Sequence, residues 1–130
     1  MSSELVSAIK LLSVLAQLQR WEVMNSTLLS SPSGRQLYFG LIRHLSSEQD
    51  DLSVDSMKEI YYDDGIQLTE RGVRLTIRAF EADGSLLLEK ASEDKRSRRI
   101  FLTPKLQEQM LAHAEAMRKT LNEYFLVIQK

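Results

Sequence analysis

The chain has 130 residues, no cysteine, 27% charged residues and a formal net charge of −1. That is the length and balance of one ordinary globular domain, and it excludes collagen-like and disordered classes, disulfide scaffolds and thiolate zinc sites. The near-zero total hides an asymmetry. Residues 67 to 105 hold nine Lys/Arg against six Asp/Glu, or +3, while the remainder holds eight against twelve, or −4. Polarised charge of this kind bears on partners, not on fold.

The chain opens on "ELVSAIKLLSVLAQLQRW", where Ser2 or Ser3 caps a first helix. Leu5, Ile9, Leu12 and Ala16 follow helical spacing and Leu11, Leu15 and Leu18 fill a neighbouring face, so burial on two sides is expected. Lys10, Gln17, Gln19 and Arg20 interrupt the run, which reads as neither a signal peptide nor a membrane span and makes the cytoplasm the expected location. "NSTLLSSPSG" reads as a connection. A second helix, "GRQLYFGLIRHL", sets Leu37, Leu41 and Leu45 on one face with Tyr38 and Ile42 beside them.

Ser53 is the expected cap of a short third helix with Val54, Met57 and Ile60 or Tyr61 inward, broken at Gly65. Its surroundings are acidic: Glu48, Asp50, Asp51, Asp55, Glu59, Asp63 and Asp64 surround Lys58. Thr69 starts another helix with Val73, Ile77 and Phe80 as its apolar stripe, ending at Gly84. Two short helices joined by a glycine-containing turn form a helix-turn-helix pattern. "SLLLEKA" and "RRIFL" then read as a hairpin whose tip carries Lys95, Arg96, Arg98 and Arg99, four cations in five residues. Thr103 and Pro104 open a final helix, in which Met110, Ala114, Met117, Leu121, Tyr124 and Ile128 form a heptad seam. At ~1.5 Å per residue such a helix outreaches a compact domain with a radius of gyration of roughly 14 Å, so pairing of the two terminal helices across a homodimer is expected.

The order of these elements, with "SEDKRSRRIFLTPK" at the hairpin and "QLTERGVRLTIRAFEADGSLLLEK" before it, resembles the MarR family of winged-helix transcription regulators. The resemblance covers residues 53 to 105. Asp94, Arg96, Leu102 and Thr103 occupy the positions of the family's Asp-x-Arg wing and Leu-Thr helix start, while Leu106 stands where the family commonly has Gly. It implies a mostly α fold with a small β-hairpin wing, a winged helix-turn-helix flanked by dimerisation helices: residues 1–24 and 104–130 for dimerisation, 32–103 as the DNA-binding core, all within one domain. It also implies a homodimer on pseudo-palindromic double-stranded DNA, no cofactor, and a small aromatic or anionic effector.

In that reading Arg96 enters the minor groove, held by Asp94 through a charge-assisted hydrogen bond, and Lys95, Arg98 and Arg99 neutralise phosphates. Strand alternation sends Arg98 and Arg99 to opposite faces. Arg71, Arg74 and Arg78, three and four residues apart, share a helical face away from the apolar stripe, as the candidate readers of guanine; Thr69 and Glu70 are candidate contacts to phosphate and cytosine.

Other chemistry is disfavoured. His44 and His113 sit on separate helices without a cysteine, which argues against a metal site. Asp50/Asp51 and Asp63/Asp64 read as solvated or capping pairs, and no nucleophile elbow, P-loop or dinucleotide fingerprint is present, so an enzyme is not expected. Trp21, Tyr38, Tyr61 and Tyr62 are core aromatics or the lining of an effector pocket. The rival to DNA binding is a protein-interaction module of the same fold whose basic wing meets an acidic partner.

Overall fold

The computed structural model of the chain describes residues 1–47, 52–54, 56–57, 69–90 and 98–128. It is mostly helical with one small antiparallel hairpin: α1 (Ser3–Asn25), α2 (Pro32–Ser46), α3 (Glu70–Ala82), β1 (Leu86–Lys90), β2 (Arg98–Leu102) and α4 (Pro104–Ile128). The acidic residues from Glu48 to Asp51, Asp55 and those from Glu59 to Asp64 lie outside the described residues. So do Lys58, Ile60, Tyr61, Tyr62, Gly65 and the hairpin tip from residue 91 to 97, with Asp94, Lys95 and Arg96.

Side-chain oxygens start the helices, as their residue types predict. Ser2 Oγ accepts from the Leu5 N–H at 3.1 Å, and Thr69 Oγ1 accepts from the Gly72 N–H at 3.0 Å. Ser53 Oγ accepts from the Ser56 N–H at 3.1 Å. The second helix begins two residues earlier than expected. Pro32 takes the first helical position, where its missing N–H costs nothing, and Ser31 Oγ accepts from the Gly34 N–H. Gly34 lies against the Leu28 carbonyl so closely that no Cβ fits. At the end of α3 the Ser85 N–H reaches back to the Phe80 carbonyl and the Gly84 N–H to that of Glu81, with Gly84 at φ +84°, a Schellman ending.

The core lies where α2, α3, the hairpin and the start of α4 meet. Leu37, Tyr38 and Leu41 of α2 pack with Val73, Ile77 and Phe80 of α3, Leu86, Ile100, Met57 and Leu106. Leu106, at the position where Gly was the expected type, is fully buried and ties α4 to this core. In the hairpin Leu86 pairs with Leu102, Leu87 with Phe101, Leu88 with Ile100, Glu89 with Arg99 and Lys90 with Arg98. The Leu86–Ile100 side faces the core and the Leu87–Phe101 side faces outward, as a two-residue alternation requires. Beyond β2, Ser53 forms an antiparallel bridge with Arg99, and the Ile100 N–H donates to the Leu52 carbonyl at 2.9 Å. The short segment before the Ser53 cap is thereby fastened to the sheet.

Three apolar patterns are only partly covered in the single chain. Leu45 is exposed, whereas Leu37, Tyr38 and Leu41 of α2 lie in the core and His44 is buried. In α1 the expected apolar faces are mostly exposed, Leu12 at 57% and Leu15 at 62%, while Val14, Leu18 and Glu22, spaced by four, and Trp21 are covered. In α4 Leu106 and His113 are buried, Met110, Leu121 and Tyr124 of the expected seam are partly covered like Ala116 and Thr120, and Ala114 and Met117 of the seam face solvent. Met110 packs against the core.

Candidate nucleic-acid interface

Amphipathicity builds α3. Val73, Thr76, Ile77 and Phe80 are buried, so the residues between them turn outward by the helical period. Arg71, Arg74 and Arg78 are all exposed on that outer face, as the sequence predicts. Together with Glu70 and Leu75 they line a shallow groove of about 540 Å³. Arg74 Nη2 donates to Glu70 Oε1 at 2.9 Å, four residues earlier, and this pair is open to water on both sides. Arg71 and Arg78 make no ion pair among the described residues. Thr69 Oγ1 accepts from the Gly72 N–H as the helix cap, which leaves its O–H to donate elsewhere.

The hairpin places Arg98 and Arg99 on opposite faces, both exposed. Arg99 stands across from Glu89 and is engaged with a partner. Thr103 differs from a simple cap. Its hydroxyl donates to the Gly84 and Ser85 carbonyls, at 2.6 and 2.9 Å, while its oxygen accepts weakly from the Leu106 N–H at 3.4 Å. One side chain thus joins the end of α3 to the start of α4.

A second cluster was not anticipated from the sequence, in which the histidines figured only as poor metal ligands. Where α1, α2 and α4 meet, His113 Nε2 contacts Glu22 Oε2 at 2.7 Å and His113 Nδ1 contacts the Tyr38 hydroxyl at 2.7 Å. Arg35 Nη1 donates to the other oxygen of Glu22 at 2.9 Å and lies over the Phe39 ring. Trp21 stacks on His113 with ring centroids 5.6 Å apart and planes 3° from parallel. A carboxylate only accepts, so Nε2 carries the proton and Nδ1 accepts from Tyr38; protonating the ring turns the second bond around without removing it. Burial, with the Glu22 charge adding to it, pushes the Tyr38 hydroxyl up to about 12. A legible signal exists: Glu22 continues the buried α1 stripe at a spacing of four, and a carboxylate on a buried stripe demands cationic or donor partners.

Of the four aromatics singled out from the sequence, Trp21 and Tyr38 meet at His113, and Tyr61 and Tyr62 lie outside the described residues. Among the described residues no group of three or more His, Cys, Asp or Glu is placed to hold a metal ion, and no helix is long and apolar enough to cross a membrane. No protein-family model matches the chain, and no curated protein matches it.

Proposed function

We propose that the chain is a sequence-specific, DNA-binding transcriptional regulator of MarR type, acting in the cytoplasm as a homodimer on a pseudo-palindromic duplex site. The observation that carries this reading is the α3 face on which Arg71, Arg74 and Arg78 stand exposed while the opposite face is anchored in the core. A rigid helix bearing guanidinium groups one turn apart suits the major groove, where arginine bonds bidentately to guanine. The fastening of Leu52–Ser53 to β2 and the hairpin that follows α3 agree with a helix-turn-helix with a wing. The uncovered apolar residues of α1, with Leu111 and Met117 on α4, support a second copy as the partner of the terminal helices, since a soluble monomer rarely leaves so much apolar surface open.

The test is selection of bound duplexes from a random library, followed by titration of the selected site against salt. Enrichment of a two-fold-related sequence and a steep loss of affinity with salt are expected. Arg74→Ala should relax base preference, and Arg96→Ala should weaken binding across sequences and flatten the salt slope. A chain that selects no duplex and shows no salt-dependent binding to mixed DNA has a different function. The second reading, a protein-interaction module, draws on the Glu70–Arg74 pair, which already satisfies one of the three arginines without DNA.

A further inference from the structure

We propose that a cavity where α1, the turn after α3 and α4 come together is a binding site for a small planar cation. This goes beyond DNA binding and does not rest on it. The cavity measures about 390 Å³, within the usual range of small-molecule pockets, and its walls include Trp21, Asp83, Ser85, Lys105, Glu108 and Gln109.

Three features set the chemistry. The first is charge: two carboxylates, Asp83 and Glu108, face one ammonium, and Lys105 Nζ is already tied to the Asp83 backbone carbonyl. Glu108 is exposed and has no hydrogen-bond or ion-pair partner among the described residues. An anion entering here meets the carboxylates, whereas a cation donates a charge-assisted hydrogen bond to Glu108. The second is Trp21, a residue of the wall whose indole is stacked on His113. An indole is the strongest side-chain partner for a cation lying over an aromatic ring. The third is Ser85. It is fully buried and lies on the cavity wall, and its Oγ has no hydrogen-bond partner among the described residues. A ligand N–H reaches that Oγ, and relieves the desolvation cost of a buried hydroxyl without a partner, only by displacing the wall that covers it. A flat amidinium or guanidinium joined to an aromatic ring combines these requirements, in contrast to the aromatic acid that the resemblance implies as effector.

Trp21 is the sole tryptophan, so its fluorescence reports on the cavity without interference. Benzamidinium and benzoate share a shape and differ in charge, and are the probes. The full chain should show a saturable fluorescence change with benzamidinium, with a Kd on the order of 1 mM or tighter, and none with benzoate over the same range. Glu108→Gln, at an exposed position, should weaken benzamidinium about tenfold, the loss of one charge-assisted bond. Ala112→Met, filling the cavity from α4, should abolish the response with helix content unchanged by circular dichroism. No response to benzamidinium, an equal response to benzoate, or a response that neither substitution alters would each overturn the proposal. None of these outcomes depends on whether the chain binds DNA.

Discussion

The junction at His113 and the outer face of α3 both concentrate charge, and they use it in opposite ways. At the junction Glu22 is 4% exposed, and its two carboxylate oxygens, the two ring nitrogens of His113, the Tyr38 hydroxyl and Nη1 of the Arg35 guanidinium are bonded to one another. On α3 the guanidinium groups stand in water, and the Glu70–Arg74 contact is of the exposed kind that contributes little to stability. Charge that is buried and mutually satisfied belongs to the fold. Charge that is exposed, mostly of one sign and mounted on an anchored helix is available to a partner. Substitutions at the two places therefore separate stability from binding.

The largest expected effect is at the centre of the junction. Glu22→Ala removes the acceptor shared by Arg35 and His113 and strands both in a half-buried or buried setting, so unfolding by urea should show a loss of roughly 3 kcal/mol. A loss below about 1 kcal/mol would mean that water enters the junction and that the contrast with α3 is false.

Tyr38→Phe keeps the ring and removes one hydrogen bond, and should cost about 1.5 kcal/mol near neutral pH. It also has a signature in alkali. The folded-state value of about 12 lies above the ordinary tyrosine value of about 10, so the contribution is fully present below the unfolded value and is lost as pH rises through the folded one. The native chain should lose up to roughly 2 kcal/mol of stability between those values beyond what the Tyr38→Phe variant loses over the same interval. Parallel slopes in the two proteins would place Tyr38 in contact with solvent.

His44 sharpens the comparison from the other side. It is 3% exposed, and neither ring nitrogen has a hydrogen-bond partner among the described residues, whereas His113 is buried with both bonded. Replacing a buried polar ring that has no partner by an apolar side chain removes a desolvation cost. His44→Leu should therefore raise stability by about 1 kcal/mol, while His113→Leu lowers it; calorimetric melting of the two variants reads the opposite signs.

The pattern of what was legible follows from range. The caps at Ser2, Ser53 and Thr69, the Val73–Ile77–Phe80 stripe and the hairpin depend on residues within a few positions of one another, and the amino-acid types state them directly. The α3 arginine face follows from the same stripe, because a helix that buries one side exposes the other. The junction is different. Glu22 and His113 are 91 residues apart and Tyr38 and His113 are 75 apart, so nothing local reveals that they meet. The partial cover of the apolar stripes of α1 and α4 has the same origin. Both helices carry more apolar positions than one neighbour can cover, and which set is used within the chain depends on their mutual register, a tertiary fact.

The smallest expected effect on the fold is at Arg74, and it is the most informative about the exposed face. Arg74→Ala breaks an exposed pair four residues apart and should change stability by less than about 0.5 kcal/mol in either direction. Breaking the pair from the other end separates its two meanings. Glu70→Gln removes a negative charge from a face that is to approach phosphates, so DNA affinity should hold or rise, whereas Arg74→Ala should lower it and broaden base preference. If the two substitutions weaken DNA alike, the pair acts as one unit and Glu70 is part of the reading surface; if neither changes DNA binding, the α3 face serves another partner. Measured on chains whose melting temperatures match, any difference belongs to recognition, because the fold draws its stability from the opposite side of the same helix.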